Sequence, residues 1–500
     1  MQEKATSQSH KALFLSTLAF TACFAAWMIN GVLVTYLTDN GVFRWSAVEV
    51  GWLLGVPVLV GSVLRLPVGV LTDRFGGRWV MSAILLTAAV PMYLLSKAND
   101  YTSFLLLSFG FGIAGSAFAS GVAYTCLWYP KAQQGTALGI FGMGNMGAAL
   151  TTLLAPSILN ALTRQGAAPD AWRILPQLYA GLLVLVGIIF LLGTQNRKPD
   201  EIRTMGQRLA PLREVRVWRF GLYYFFVFGS FVALSQWLIP YYVNVYSLSI
   251  VTAGFMATAF SLPSGLVRAA GGWLADRYGA RLVMLWVFGV CMVSLFFLFV
   301  PRMEIQAPGQ GVMASKAGTV VSVSDQEIVL DDQTYMLQTA AGDSSQVSIG
   351  FGIHRENEDF LPLPEAVFRQ EPIVRVGDKV NKGQLLAKGV THIYFQANRW
   401  IFSVLVFIMG MMMGMGSAAV YKHISDYYPA NIGAVGGIVG VLGGLGGFFG
   451  PIIFGYLLKA TGVWTTCWMF LALIAAICIV LQRLAIRAIE REKNGKSAAS

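Results

Sequence analysis

The sequence predicts an all-α polytopic membrane protein made of two related six-helix halves, with a small β domain inserted into the second half. The 500 residues are 56% hydrophobic and only 12% charged, with a mean hydropathy of +0.61. Soluble domains carry roughly 25% charged residues. Apolar runs of membrane-spanning length recur along the chain, and one motif of charged residues and glycines occurs twice. These observations together predict the fold class.

About twelve apolar runs, each ~20 residues or longer, are predicted to cross the membrane as helices. They lie near residues 12–37, 45–71, 79–97, 101–128, 135–161, 173–194, 218–246, 250–274, 282–300, 398–420, 433–458 and 463–484. The first run is too long for the apolar part of a signal peptide, so we expect it to be retained. The five cysteines all fall within spans, without the spacing of disulfide frameworks or metal sites. No metal or cofactor is predicted.

The net charge of +11 is distributed unevenly between the loops. Basic residues cluster in alternate loops, at Arg74 and Arg78, at Lys131, in residues 197–219, at Arg277 and Arg281, and in the tail from Arg483. This positive-inside pattern predicts that both termini are cytoplasmic. The lipid bilayer therefore accounts for the basic charge, and no nucleic-acid partner is predicted.

Residues 301–397 contain no spanning run and alternate like β-strands, as in GTVVSVSDQEIVL. They hold twelve of the chain's 25 acidic residues and eight of its 36 basic ones. An odd number of predicted spans precedes them. The segment is therefore predicted to be a folded β domain on the extracytoplasmic side.

Two pairs of segments show that the chain repeats itself. RLPVGVLTDRFGGR at 65–78 matches RAAGGWLADRYGAR at 268–281, and GTALGIFGMGNMG at 135–147 matches GAVGGIVGVLGGLG at 433–446. The first offset is 203 and the second 298, and the difference of 95 is about the length of the β segment. Parallel six-helix repeats with a site between them describe the major facilitator architecture.

These repeats and the charge pattern define the predicted domains. The boundaries are 1–196 for the N-terminal six-helix half, 197–217 for a cytoplasmic linker, 218–300 for the first three helices of the C-terminal half, 301–397 for the β domain, 398–487 for the last three helices, and 488–500 for a cytoplasmic tail.

Arg65 and Arg268 occupy matching positions in the two halves. Arg65 precedes Asp73 by eight residues, which places it ~12 Å into the membrane at ~1.5 Å per residue. A buried arginine costs at least ~2.5 kcal/mol at a span centre, so a functional role is the default. No Asp or Glu lies in the middle of any span to pair with either one. The pair therefore predicts a site for a small anion, because the guanidinium fork binds oxyanions bidentately.

Counting along each helix from its cytoplasmic end predicts four further residues at a similar depth: Phe118, Asn145, Phe228 and Tyr224, the last one turn from Phe228. Two aromatic rings could enclose a flat anion while Asn145 or Tyr224 donates a hydrogen bond. Each aromatic residue taken singly could equally face lipid or the protein core. Their common depth with the two arginines is what assigns them to the site.

The glycine-rich helices allow close helix approach, and the same residues could line the cavity and move during transport. The candidates are Gly139, Gly142, Gly144, Gly147, Gly437, Gly440, Gly443 and Gly444. The repeated loops could pair with neighbouring helix ends and lock one conformer, although plain topogenic charge would also explain them. Those gate candidates are Asp73, Arg74, Arg78, Asp276, Arg277 and Arg281.

GTALGIFGMGNMG and GAVGGIVGVLGGLGGFFGP resemble the two signature motifs of the nitrate/nitrite porter family of the major facilitator superfamily. The likeness covers nearly all twelve spans, including RLPVG, SAFAS and FGSF, and excludes the β segment. It implies a transporter rather than an enzyme, with nitrate and nitrite as cargo. It also implies that Arg65 and Arg268 bind the anion, with Phe118 and Phe228 as the family's aromatic residues. The second motif has glycine and valine where some members carry serine.

The β segment resembles barrel-sandwich hybrid modules, most closely the one in bacterial RNA polymerase β subunits. It lacks the Met-Lys-Met hairpin of biotin carriers, with Lys316 in the sequence SKA, so a swinging-arm carrier is not expected. His354 and His392 are single histidines without ligand spacing. We expect a structural or docking module whose partner is unknown.

The family resemblance leaves three function classes open. The favoured one is nitrate/nitrite antiport in the bacterial inner membrane. The second is a proton-coupled symporter or a carrier of another small anion. Proton symport would need a titrating group such as Tyr224, Lys422 or His423, and the last two lie at a predicted cytoplasmic helix end. A non-transporting sensor would use the β domain for signalling.

Overall fold

The computed structural model describes residues 6–164, 168–199, 206, 209–246, 248–299, 303–338, 365–394, 399–428, 432–461 and 464–497. Parts of the predicted linker, of the tail and of the β domain, including His354, lie outside these residues. The chain divides into two compact units. One comprises Met1–Phe296 with Ser403–Ser500, and the other is Phe297–Phe402.

The first unit is helical, and twelve of the described helices are long and apolar enough to span a membrane. They are α1 (Ser7–Asp39), α2 (Ala47–Phe75), α3 (Gly77–Leu95), α4 (Tyr101–Cys126), α5 (131–162), α6 (Pro169–Gly193), α7 (Val215–Tyr246), α8 (Ile250–Tyr278), α9 (Ala280–Phe299), α10 (Arg399–Tyr427), α11 (Ile432–Thr461) and α12 (Thr466–Ser497). The predicted twelve spans are thus confirmed. Capping boxes at Ser46 and Asp100 fix the starts of α2 and α4.

Several helices are irregular near their middle. α1 is interrupted between Trp27 and Asn30, and α2 between Val63 and Arg65. α4 and α5 each contain a 3₁₀ segment, Gly112–Ser116 and Met143–Asn145, and α7 contains a π-helical turn, Phe225–Gly229. In contrast, α8 continues without a break. Such irregular turns often occur at functional sites or hinges.

The two halves pack closely at the end of the helices that lies opposite the 73–78 and 276–281 loops. A Cβ built at Gly51 of α2 would lie 2.5 Å from the Pro451 carbonyl oxygen of α11, and one at Gly31 of α1 would lie 2.9 Å from the Gln236 Cα of α7. Only glycine allows these approaches. We call this end of the helical unit the closed end, and the end with the two loops the motif end.

The described part of the second unit contains seven antiparallel strands: β1 (Met303–Met313), β2 (Gly318–Val323), β3 (Glu327–Leu330), β4 (Gln333–Met336), β5 (Glu365–Pro372), β6 (Lys379–Val380) and β7 (Leu385–Tyr394). They form sheets of order β1-β7-β5 and β4-β3-β2-β6. Buried apolar side chains such as Val320, Ile328 and Leu386 make the core. The expected β fold is present, and its likeness to a barrel-sandwich hybrid stays a prediction.

Candidate functional site

Arg65 begins the second segment of α2, directly after the helix break at Leu64, and is only 4% exposed. Its Nη1 donates a hydrogen bond of 2.8 Å to the Gly440 carbonyl oxygen of α11, in the other half. Its Nε has no hydrogen-bond partner in the described part of the chain. The guanidinium thus has a backbone partner, which the sequence analysis did not foresee, and it retains unused donor capacity.

Arg65 and Arg268 face the same aromatic ring. The Cζ atoms of the two arginines lie 5.4 and 5.8 Å from the centroid of the Phe228 ring. Phe228 is 3% exposed and belongs to the π-helical turn of α7. Arginine within about 6 Å of a ring face is attracted by the ring quadrupole. One ring therefore brings the two predicted anion ligands, which come from opposite halves, to one place.

Tyr224 extends this aromatic wall. Its ring stacks on Phe228, with centroids 4.9 Å apart and planes inclined by 7°, and it meets Tyr421 of α10 edge-on at 5.4 Å. The Tyr421 hydroxyl lies 3.4 Å from the Gly436 carbonyl oxygen. A Cβ built at Gly443 would overlap the Tyr224 ring, so this glycine of α11 sets the position of the tyrosine.

Phe118 and Asn145 are contributed by the N-terminal half of the protein. The Phe118 ring lies 5.3 Å from the Arg65 Cζ and 5.5 Å from the Phe20 ring. Asn145 ends the 3₁₀ segment of α5 and is 2% exposed, and neither of its amide atoms has a hydrogen-bond partner among the described residues. Buried amides are normally satisfied, so Asn145 is available to a ligand.

The sequence profile described as Major Facilitator Superfamily matches residues 15–319 and 384–500. A relative from Thermus thermophilus, described as a probable nitrate/nitrite antiporter, is 36% identical over 97% of this chain and 93% of its own length. The chain belongs to the nitrate/nitrite porter family of the major facilitator superfamily. A Bacillus subtilis protein described as a nitrite extrusion protein is 30% identical over 62% of this porter and 77% of its own length.

Solved structures support the fold of this porter. An inward-facing bacterial homologue of the lysosomal transporter Spinster aligns with a TM-score of 0.64 at 11% identity, covering 97% of this chain and 98% of its own. The nucleoside transporter NupG aligns with a TM-score of 0.61 at 11% identity, covering 96% and 99%. At such identities the likeness concerns the fold alone.

The glycine candidates fall into distinct groups in the porter. Gly440 and Gly443 touch the Arg65 and Tyr224 side of the site, and a Cβ at Gly142 would lie 4.0 Å from Arg268 Nη1. The remaining glycines pack against other helices or have open surroundings. A Cβ would meet Phe20 at Gly144, Thr21 at Gly147, Leu66 at Gly437 and Ser62 at Gly444, and nothing within 4 Å at Gly139.

The last arginine of each loop motif makes a hydrogen bond within its own half. In the first, Arg78 Nε donates to the Leu191 carbonyl oxygen of α6 at 2.8 Å. In the second, Arg281 donates to the Tyr427 hydroxyl of α10. Asp73 is half-buried at the end of α2, and the exposed side chains of Arg74 and Arg277 lie over aromatic rings of their own helices.

Asp276, the remaining loop residue, pairs with Lys422 Nζ of α10 at 2.9 Å, and Lys422 also contacts Asp426 at 3.3 Å. Lys422 therefore joins α8 to α10, beyond the topogenic role that its position at a helix end predicts. Gly76 and Gly279 occupy equivalent positions in the two loop motifs, and both have positive φ (+93° and +85°), a conformation that favours glycine.

Sequence reasoning missed two site residues. Trp27 lies 5.9 Å from Arg65 Cζ, and Tyr421 contacts Tyr224. Tyr421 stands only two residues before His423, in a stretch assigned to a helix end. The only sequence signal for Tyr421 is that it is an aromatic residue, like those predicted in α4 and α7, and it directly follows a predicted span. Among the described residues, no group of three or more His, Cys, Asp and Glu could hold a metal ion.

Proposed function

We propose that this porter exchanges nitrate for nitrite across the bacterial inner membrane by alternating access. The observation that carries the proposal is the placement of Arg65 and Arg268, one from each half, around the Phe228 ring. A site shared by both halves binds its ligand at the surface along which the halves move. The names of the relatives support nitrate and nitrite as the cargo.

The chemistry of the walls favours a small planar oxyanion. The unused Nε–H of Arg65 and its neighbouring N–H groups offer the parallel donors that bind two oxygens of one anion. The buried amide of Asn145 supplies a further donor. Phe118, Phe228 and Tyr224 exclude water, which strengthens the attraction between the guanidiniums and the anion.

We infer that the motif end is cytoplasmic, because the basic loops Arg74–Arg78 and Arg277–Arg281 lie there. Both termini are then cytoplasmic as well. The closed end faces outward, where Gly51 and Gly31 bring the halves together. The described conformer is accordingly closed to the outside and belongs to the inward side of the transport cycle.

The charge of the site favours exchange over proton symport. No Asp or Glu lies in the middle of a span, so an empty site holds two positive charges compensated only by backbone and ring dipoles. The Gly440 carbonyl meets part of this cost for Arg65. A bound monovalent anion cancels one full charge, so closure around a loaded site is easier than around an empty one.

The β domain follows nine candidate spans, and this odd number supports an extracytoplasmic location under the same orientation. None of the residues of the anion site lies in it. We propose that it acts as a structural or docking module and takes no part in binding the anion.

Uptake of labelled nitrate into proteoliposomes tests the function. Vesicles loaded with nitrite are compared with vesicles loaded with an inert buffer, with and without an imposed pH gradient. Exchange predicts rapid uptake only with internal nitrite and little response to the gradient. The Arg268→Lys variant keeps the charge but loses the planar fork, and should show background uptake.

Rapid uptake into nitrite-free vesicles, driven by an inward proton gradient, would contradict exchange and favour symport. Tyr224, Lys422 and His423 would then be the groups to examine. Purified protein that binds nitrate but transports none under any gradient would favour a sensor. Failure to bind nitrate at all would overturn the cargo assignment.

A further inference from the structure

A cavity separate from the Arg65 site lies within the C-terminal half at the motif end. It is lined by residues of α7, α9, α10 and α12, and its volume is about 10 Å³, enough for one water-sized group. Arg219, Arg281, His423 and Tyr427 are among the residues that line it. The transport mechanism proposed above uses none of these four side chains as an anion ligand.

His423, one of the lining residues, has an unused polar atom. The side chain is 3% exposed, and its Nε2 has no hydrogen-bond partner in the described part of the chain. The ring is held by stacking on Phe220, with centroids 5.3 Å apart and planes inclined by 19°. A buried imidazole nitrogen without a partner is uncommon, which indicates that a ligand completes it.

The two arginines that line the cavity also lack charged partners among the described residues. Arg219 Nε is buried and has no hydrogen-bond partner among the described residues. Arg281 donates to the Tyr427 hydroxyl, a neutral partner, and its Cζ lies 5.8 Å from that ring. Neither arginine forms an ion pair within the described residues, so the positive charge of the cavity is not balanced by the protein there.

Carboxylates on the neighbouring segments are already engaged elsewhere. Glu214 accepts a hydrogen bond of 2.5 Å from the Tyr428 hydroxyl, and burial together with this carboxylate raises the pKa of Tyr428 to about 12. Asp276 pairs with Lys422. Two guanidiniums with no internal counter-charge are stabilised by an anion from outside.

We propose that this cavity is a second anion site, open to a small monovalent inorganic anion of the size of chloride. Arg219 and Arg281 supply the charge, and the His423 ring supplies a hydrogen bond when Nε2 carries the proton. The limited space favours a small ion over a lipid phosphodiester. Because these residues come from different helices, a bound anion joins α7, α9 and α10 and stabilises the C-terminal half.

The test measures thermal unfolding of purified full-length protein in lipid-free detergent as chloride is raised at constant ionic strength with gluconate. All variants are made in an Arg65→Lys background, so that the site between the halves contributes little. We expect chloride to raise the melting temperature in this background. Arg219→Gln should weaken the apparent chloride affinity about tenfold through the loss of one charge-assisted bond.

His423→Phe provides a second variant that retains the stacking on Phe220 and removes only the polar nitrogens, and it should weaken chloride affinity as well. Arg483→Gln is the matched control, since Arg483 is exposed on α12 and lies outside the cavity. It removes one positive charge from the same helix end, and we expect it to leave the chloride response unchanged.

Three results would overturn the proposal. They are the absence of a chloride response in the Arg65→Lys background, a response that Arg219→Gln leaves intact, and stabilisation that requires added phosphatidylglycerol, which would assign the charge to a lipid. Bromide soaked into crystals gives an independent measure by anomalous scattering, with a peak beside Arg219 and Arg281 expected. These outcomes do not depend on nitrate transport, so they stand apart from the test of the proposed function.

Discussion

Replacing Arg65 with lysine is the most direct test of the anion site. Lysine keeps the positive charge but has one ammonium group in place of the planar fork. In the porter, one guanidinium nitrogen already donates to the Gly440 carbonyl oxygen at 2.8 Å, which leaves the rest of the fork for the anion. A lysine in the same place would have to divide its single ammonium between these two acceptors.

The expected loss is therefore one charge-assisted hydrogen bond, worth about 1.5–3 kcal/mol. Since each 1.4 kcal/mol is a factor of ten, nitrate binding should weaken roughly 10- to 150-fold. Arg65 is also buried, 4% exposed, beside the Phe118 and Phe228 rings. Lysine has no planar group to lie over these rings, and the weaker cation–π contact adds to the loss of nitrate affinity.

Equilibrium binding of labelled nitrate to purified Arg65→Lys protein measures this loss, and the elution profile on size exclusion verifies that the variant folds. Arg483→Lys on exposed α12 serves as the control for the change of side chain alone. A folded Arg65→Lys protein whose nitrate affinity stays within twofold of the parent would show that the fork of Arg65 does not bind the anion.

Three further predictions concern the surroundings of the site. Gly443→Ala should displace the Tyr224 ring and weaken nitrate binding about tenfold. Gly289→Ala is the control, because its added Cβ would have nothing within 4 Å, and equal effects of the two variants in a binding assay would contradict the prediction. Asp276→Asn removes an exposed ion pair worth about 0–1 kcal/mol, so exchange should fall less than about fivefold, and complete loss of exchange would make the pair essential. Replacing 301–397 with a short polar linker should leave nitrate binding intact, and a well-expressed product unable to bind would assign the domain to the site.

Much of the architecture could be predicted because the membrane limits the choices. Spanning length and hydropathy identified the twelve helices, and the 203-residue offset identified the two halves. Arg65 and Arg268 could be singled out because a buried guanidinium without a carboxylate needs a ligand. Depth along each helix was enough to place Phe228 beside both of them, as the distances in the porter show.

Other features could not be predicted, for identifiable reasons. Arg65 donates a hydrogen bond to the backbone carbonyl of Gly440, and no pattern of side chains in the sequence indicates a backbone acceptor. The π-helical turn at Phe225–Gly229 depends on close packing against Gly443 and Gly446 of α11, which is a tertiary contact. Tyr421 lies near a helix end, so counting depth from that end assigned it no role.

The irregular turns described in the fold have a consequence for how the molecule deforms. Five of them, in α1, α2, α4, α5 and α7, adjoin or contain residues of the proposed anion site, whereas α8 carries Arg268 on an unbroken helix. Backbone amides at such turns lack regular helical bonds and open at lower cost than their neighbours. Hydrogen exchange should therefore be fastest at mid-membrane depth in these five helices and slow in α8, so that the molecule bends at the proposed anion site and one arginine moves against a rigid counterpart.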